Sequence, residues 1–481
     1  MRRLLLFAAL LTAFAPGAAS SAAPACHPSG PTDPYTKTDT RIPVGGGVEL
    51  AATLYTPEPE GCPHAVVPHP AIVMFHGLGD TRASMNKLAE AFFADERYVV
   101  LTFDARGHGD SGGLWGLDGP NENDDARAIF DWLAARPDVD PKHIGAYGTS
   151  LGGGAVWNST VYGKVPWAAI APETTWTDLY GALFPQNLSK SGLVLHLSQV
   201  VPAARTDPEI LSHEQAAVQS VNLPSLHPLT DPRSVRSHFA AITTPTLLVQ
   251  GRRDFLFDID QALAAYRGLR GPKRLYLTDL GHAPSSFTTP DLQHAEEEIR
   301  AWFDHYLKGT SNGIETRPPI EIAKDPYTGT VELRRLPQTH RLSFRIRGRT
   351  IGATGKIVET MPLPGRQLET FGAPTVTLSL GRSTFSHVVA VASVVTAAGA
   401  ETLVSDGGVP LTPATRSVTI KLLDQAVHIP AGARLRLTLA ATSAAQSSGN
   451  ALYLADVNPG STLRVRRAKL VLPVMRRPIS R

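Results

Sequence analysis

"IGAYGTSLGGGAVW" (residues 144–157) places Ser150 between Gly148 and Gly152, after a short apolar run and before a row of small residues. The run "HIGAYG" has the texture of a strand, and "SLGGGAVWNSTVY" that of a helix beginning. Gly-x-Ser-x-Gly at such a strand-to-helix turn is a nucleophile elbow. Its glycines allow a strained turn that lifts the serine hydroxyl out of the chain's path, and the helix N-terminus faces any negative charge that develops there. The plainer reading is a Gly/Ser loop. The neighbouring pattern decides between the two.

Outward from Ser150, continuous apolar runs that end in turn residues recur. They are "AIVMFHG" (71–77), "YVVLTFDARG" (98–107), "WAAIAP" (167–172), "PTLLVQG" (245–251) and "RLYLTDLG" (274–281). Such runs fit strands buried on both faces. Between several of them lie helical patterns. Asn121 to Arg136 puts Ala126, Ile129, Phe130 and Leu133 on one side, with Glu122, Asp124 and Asp125 near the start. Pro290 to Lys308 aligns Ile299, Trp302, Phe303 and Tyr306 and stops at Gly309. Strands alternating with helices predict an α/β fold with a mostly parallel sheet. The alternating stretch from Thr36 to Thr56 predicts an antiparallel hairpin ahead of it.

The alternation is lost from about 175 to 238, a Ser-, Leu-, Pro- and His-rich insertion. It reads as a helical cap over the carboxyl ends of the strands, since its leucines argue against a disordered excursion. After "KGTSNGIETRPP" (308–319) only short alternating strands follow, such as "TVTLSLG" and "ARLRLTLAA". They predict an all-β, jelly-roll-like sandwich. The expected organisation is a signal peptide over 1–25, an α/β domain over 26–313 and the sandwich over 314–481.

A chain of 481 residues is too long for one ordinary core. Arg2 and Arg3 followed by the apolar stretch Leu4–Ala15 read as a secretory leader, too short to span a bilayer comfortably. The expected location is secreted or periplasmic, with no integral membrane segment in the mature chain. A formal charge of +3, near +1 without the two leader arginines, argues against nucleic acid as a partner. The stretch Arg464–Arg481 is locally basic with no acid. It reads as a solvated strand face and frayed tail, or as a contact with an anionic envelope surface. Cys26 and Cys62 are the two cysteines, and in an exported protein they are expected to form a disulfide. Free thiols, or a lipid anchor on Cys26, are the other readings.

A serine nucleophile needs a base, and the base an orienting acid, in the chain order Ser, acid, His. "PTLLVQGRRD" ends in Asp254 just past a late strand, whereas Asp258 and Asp260 fall at the start of the next helix, where carboxylates serve as caps. His282 follows the last strand of the sheet in a Gly-His turn, 28 residues after Asp254. The oxyanion that forms needs donors. The expected ones are the backbone N–H groups of Leu151, next to Ser150, and Leu78, in the loop "FHGLGD" (75–80). His76 is expected to shape that loop, and Arg106 to brace neighbouring loops. Trp115, Glu173, Trp176 and Tyr180 stand near strand ends or the cap and read as pocket lining or as ordinary packing. No HExxH, CxxC or phosphate-loop pattern occurs, so no metal and no cofactor is expected.

The set "FHGLGD", "FDARGHGDSGG", "GTSLGGG", "GRRD" and "GHA" resembles the α/β-hydrolase superfamily across residues 70–308. With the phrases "ETFGAPTVTLSLG" and "VHIPAGARLRLTLAAT" of the β region, the chain looks like the Xaa-Pro dipeptidyl-peptidase and cocaine-esterase-like hydrolases, which carry a C-terminal jelly-roll domain. That family often has a tyrosine after the nucleophile and a tyrosine oxyanion donor in a "PY" stretch. This chain has Leu151 and His76-Gly77-Leu78 instead, the arrangement of common esterases. The expectation is a serine hydrolase of carboxylic esters acting through an acyl-enzyme, with an Xaa-Pro dipeptidyl-peptidase-like exopeptidase as the alternative. Its partner would be a small-molecule ester or a short peptide. The oligomeric state stays open.

Overall fold

The computed structural model describes residues 34–58, 67–282 and 288–480. The leader, Cys26 and Cys62 lie outside them, so the disulfide and its alternatives do too. The first sheet has ten strands: β1 (Tyr35–Val44), β2 (Val48–Pro57), β3 (His69–Phe75), β4 (Val99–Phe103), β5 (Val139–Thr149), β6 (Ile170–Glu173), β7 (Thr246–Gly251), β8 (Lys273–Thr278), β9 (Ile320–Ala323) and β10 (Thr330–Leu333). Their order is β1-β2-β4-β3-β5-β6-β7-β8-β9-β10, parallel from β4 to β9 and antiparallel at both ends.

The apolar runs are continuous because each strand serves two cores. In β3, Ala71, Val73 and Phe75 join one core, with the helices α2 (Pro120–Ala134), α3 (Leu151–Val161) and α8 (Ile259–Gly268). Ile72 and Met74 join the other, with α1 (Arg82–Phe92) and α9 (Thr289–Lys308). Five residues of β3 thus alternate between two buried layers, and trimming any of the larger ones would leave a cavity.

The insertion folds into the short helices α4 (Leu179–Leu183), α5 (Ser191–Ser198), α6 (Pro208–Gln219) and α7 (His227–Thr230), joined by 3₁₀ turns. Leucines from several of them, with Trp115 and Leu151, form an apolar layer over the strand ends.

The expected boundary near 313 falls short of two strands that belong to the first sheet. β9 pairs with β8 and β10 with β9, so the sandwich strands begin at Thr339. Glu321 is why: its carboxylate is buried among Arg274, Arg317 and His294, so "IEIA" imitates a half-exposed strand. His294, Glu298 and Glu321 lie close enough to hold an ion, but Arg274 and Arg317 already pair with both carboxylates. Their chemistry is that of an ion-pair network.

The sandwich consists of β11 (Thr339–Arg347), β12 (Thr350–Gly352), β13 (Ile357–Pro362), β14 (Leu368–Glu369), β15 (Thr375–Leu380), β16 (His387–Val395), β17 (Glu401–Pro410), β18 (Ser417–Lys421), β19 (His428–Ile429), β20 (Arg434–Ala440) and β21 (Thr462–Met475). One sheet runs β11-β21-β15-β18, with β12 beside β21, and the other runs β13-β20-β16-β17. Their facing sides share one apolar core. No helix among the described residues is long and apolar enough to cross a membrane.

Candidate active site

Ser150 sits at the turn between β5 and α3 with φ 54° and ψ −115°, a conformation strained for a residue with a side chain. The flanking glycines make the turn possible. A Cβ on Gly148 would lie 2.3 Å from the Gly152 carbonyl oxygen, and one on Gly152 would lie 2.1 Å from that of Phe75. Both contacts are far inside van der Waals distance, so any larger residue at either position would force the turn open. Leu151 is the first residue of α3, so its N–H belongs to the helix turn that has no intrahelical acceptor. Across from it, a Cβ on Gly77 would lie 3.8 Å from Ser150 Cβ, so the Gly77-Leu78 peptide runs beside the same turn. His76 holds that loop: Nε2 accepts from the Ala105 N–H at 2.9 Å, and Nδ1 lies 2.7 Å from the Gly77 carbonyl. Burial keeps the His76 imidazole below its ordinary pKa, consistent with a neutral ring that accepts at Nε2. Arg106 pairs with Asp125 of α2 through two contacts, of 2.8 and 2.5 Å.

His282 follows β8, and its Nε2 lies 2.8 Å from Ser150 Oγ. Its Nδ1 lies 2.7 Å from Asp254 Oδ2. Asp254 is fully buried. Its Oδ1 accepts the N–H groups of Leu256 and Phe257 at 2.8 and 2.9 Å, and Oδ2 also accepts the His282 N–H at 3.1 Å. Burial alone would lower the His282 pKa, but the charge of Asp254 and its hydrogen bond outweigh that and hold the imidazole above the ordinary histidine value. The two rival carboxylates point elsewhere: Asp258 Oδ2 accepts the Asp424 N–H at 2.9 Å, and Asp260 pairs with Arg236 at 2.9 Å.

The turn that carries Asp254 is held from two other parts of the chain. From the sandwich, Gln425 Nε2 donates to the Asp254 carbonyl at 2.7 Å, and the Ala426 N–H donates to the Arg252 carbonyl at 2.8 Å. The Arg252 guanidinium is itself fully buried against Glu369 of β14. From the cap, Lys190 buries its ammonium and donates to the carbonyls of Phe255 and Leu256 at 2.9 and 2.8 Å. Residue types alone gave no hint of Lys190 or Gln425. A lysine in a leucine-rich stretch, "NLSKSGLVLHL", was the one available signal.

Two cavities adjoin these residues. One, of about 110 Å³, lies under the cap and is lined by Leu78, Trp115, Leu117, Leu183, Leu197 and Ile210, among others. The polar groups on its wall include Glu214, which is engaged with Ser198 at 2.8 Å. The other, of about 620 Å³, lies between α1 and α9 and reaches His282 and Thr149. It contains Glu173 and Glu296. Glu173 is buried and accepts from the Tyr147 hydroxyl at 2.5 Å, and burial pushes its carboxyl above the usual range. Of the four residues considered for a pocket, Trp115 lines the first cavity and Glu173 the second. Trp176 and Tyr180 are packing residues instead. Trp176 lies against Phe257 and donates to the Arg233 carbonyl at 2.7 Å, and Tyr180 stacks on His227 within the cap.

Comparison with known proteins agrees with this fold. The family model for X-Pro dipeptidyl-peptidase (S15 family) matches residues 46–284. A CocE/NonD family hydrolase from Staphylococcus aureus superimposes with a TM-score of 0.69 at 14% identity, covering 92% of this chain and 94% of that one. An α-amino acid ester hydrolase superimposes with a TM-score of 0.67 at 16% identity, covering 92% of this chain and 97% of that one. The quorum-quenching protein AidA of Acinetobacter baumannii is 35% identical over 143 residues, which are 29% of this chain and 44% of that protein. The chain spans less than half the length of the curated relatives it matches. The fold is that of the α/β-hydrolase superfamily. Within it, the chain resembles the Xaa-Pro dipeptidyl-peptidase and cocaine-esterase-like hydrolases with a C-terminal jelly-roll domain.

Proposed function

We propose that this chain is a serine hydrolase of carboxylic esters with an apolar acyl or alcohol group. Ser150 Oγ attacks the ester carbonyl carbon while His282 Nε2 takes the hydroxyl proton. Asp254 fixes the imidazole's orientation and stabilises the imidazolium that forms. The N–H groups of Leu78 and Leu151 receive the oxyanion. Collapse of the tetrahedral intermediate breaks the carbon–alkoxide bond, and His282 returns its proton to the departing alcohol. A water, deprotonated by His282, then releases the acid from Ser150.

The observation that carries the ester reading is the cap cavity. Leu78, one of the two proposed oxyanion donors, lines it, and its wall is mostly apolar. An Xaa-Pro exopeptidase must also anchor an ammonium, and a buried charge needs a charged partner. Glu173 is the carboxyl that favours this second reading, since it lines a cavity reaching His282. Burial outweighs the opposing hydrogen bond from Tyr147 and leaves a carboxyl that is reluctant to ionise, which makes it a weak anchor. A fluorophosphonate tests the proposed mechanism. A stoichiometric adduct mapped by mass spectrometry to the Ser150 peptide, absent from Ser150→Ala, is expected. Labelling of another residue, or a labelled Ser150→Ala, would overturn it.

A further inference from the structure

One face of the sandwich has no role in the reading above. In the sheet β11-β21-β15-β18 the inward residues, among them Ile346, Leu378, Ile420 and Leu470, fill the sandwich core. The alternate residues point outward, and on β11 and β21 they are cations: Arg341, Arg345, Arg347, Arg464, Arg467 and Lys469, all exposed. The register sets like charges directly opposite one another, Arg345 against Lys469 and Arg347 against Arg467. Such cross-strand pairs repel and reduce stability. On the far side of β21 the neighbours are hydroxyls, Thr377 opposite Lys469 and Ser379 opposite Arg467. The strands β11, β12, β15, β18 and β21 together hold eight Lys and Arg and no Asp or Glu, in a chain whose formal charge is only +3. The rest of the chain is therefore net acidic, and the positive charge is concentrated on one face. Among the described residues, Arg345, Arg347, Arg467 and Lys469 have no carboxylate partner.

We infer that this face docks on the surface of an anionic phospholipid bilayer. Three features favour a membrane over other polyanions. The cations form a two-dimensional patch, with rows roughly 4.8 Å apart across the strands and about 6.8 Å apart along them, which suits a plane of phosphates better than one polymer strand. The strands present no exposed aromatic side chain on which bases could stack. The exposed large apolar residues, Val67, Leu114, Leu195, Val221, Leu292 and Leu454, lie on other parts of the molecule. Binding is therefore peripheral and electrostatic, with no insertion, and salt releases it. The opposite sheet of the sandwich is the one turned toward the cap and the Asp254 turn, where Val389 and Val391 pack with Leu188 and Phe255. A docked molecule thus keeps Ser150 away from the contact.

The test is co-sedimentation of the full chain with vesicles of phosphatidylcholine, with and without ~40% phosphatidylglycerol, at low and high salt. Binding to the anionic vesicles at low salt is expected, with release at high salt. The variant Arg345→Gln/Arg347→Gln/Arg467→Gln/Lys469→Gln should bind at least about a hundredfold more weakly, at roughly fivefold per charge removed. It should melt at or above the wild-type temperature, since the repelling pairs are gone, and keep the wild-type ester turnover, which separates loss of docking from loss of fold. Equal binding to neutral vesicles, unchanged binding by the variant, or binding to a DNA duplex but not to anionic vesicles would overturn the inference. The result is independent of the ester reading, because turnover is measured on a soluble substrate.

Discussion

The cavity under the cap and the cavity between α1 and α9 offer a substrate different things. The first begins at Leu78 and is walled by leucines and Trp115 from the cap and neighbouring loops. The second is larger and reaches His282, yet it holds two acidic groups among its apolar side chains, and both resist ionisation. Burial raises Glu173, and burial together with the nearby Glu173 pushes Glu296 up to about 7. A neutral acyl chain gains from the first environment and an ammonium gains little from the second. The reaction chemistry at Ser150 would be common to both substrates, so under the proposed function the contrast between the cavities would select the ester.

Removing the acid should have the largest effect. Asp254→Asn is expected to lower kcat by roughly a hundred- to ten-thousandfold for every substrate, whichever cavity it uses. The pH profile gives a second readout. The base works as neutral imidazole, so activity falls as pH drops through the His282 pKa, which Asp254 holds above its ordinary value. The residual activity of Asp254→Asn should therefore keep its acid limb at lower pH than the wild type. An unmoved limb would mean that another group orients His282.

A smaller effect separates the cavities. Ile210→Trp fills the space under the cap, and kcat/KM for esters with long acyl chains should fall by about ten- to a hundredfold while acetate esters change by less than about threefold. Equal losses for both would place the acyl chain elsewhere. The smallest effect concerns the sandwich. Gln425→Met removes one hydrogen bond to the Asp254 carbonyl and should lower kcat by about three- to tenfold with KM little changed. A change in KM alone would assign Gln425 to the substrate path.

The regular part of this architecture could be read from residue pattern. Strands that alternate between two cores leave continuous apolar runs, and the turn at Ser150 leaves two glycines that no other residue can replace. Ser150, Asp254 and His282 are read separately from their positions after strands, and His282 lies within hydrogen-bond distance of both the others. What pattern could not supply is contact between distant segments. Gln425 reaches a turn 171 residues earlier, and nothing local in "LLDQAV" marks it. Glu321 was misleading for the opposite reason, because arginines from β8 and the following linker make a buried carboxylate look like a surface one. Trp176 and Tyr180 stand at the mouth of the cap in sequence, but the cap's own core takes them.

Under the proposed function the cap cavity, and not the carboxyl pair, defines the substrate. The measurement that tests it most directly is kcat/KM for short- to medium-chain p-nitrophenyl esters beside Xaa-Pro p-nitroanilides, on wild type and Glu173→Gln. Esters should be favoured by at least ~100-fold, about 2.7 kcal/mol of transition-state stabilisation, with Glu173→Gln changing ester turnover by less than about twofold. Comparable or reversed values on the two panels, with peptide activity lost in Glu173→Gln, would contradict it and assign the site to an exopeptidase.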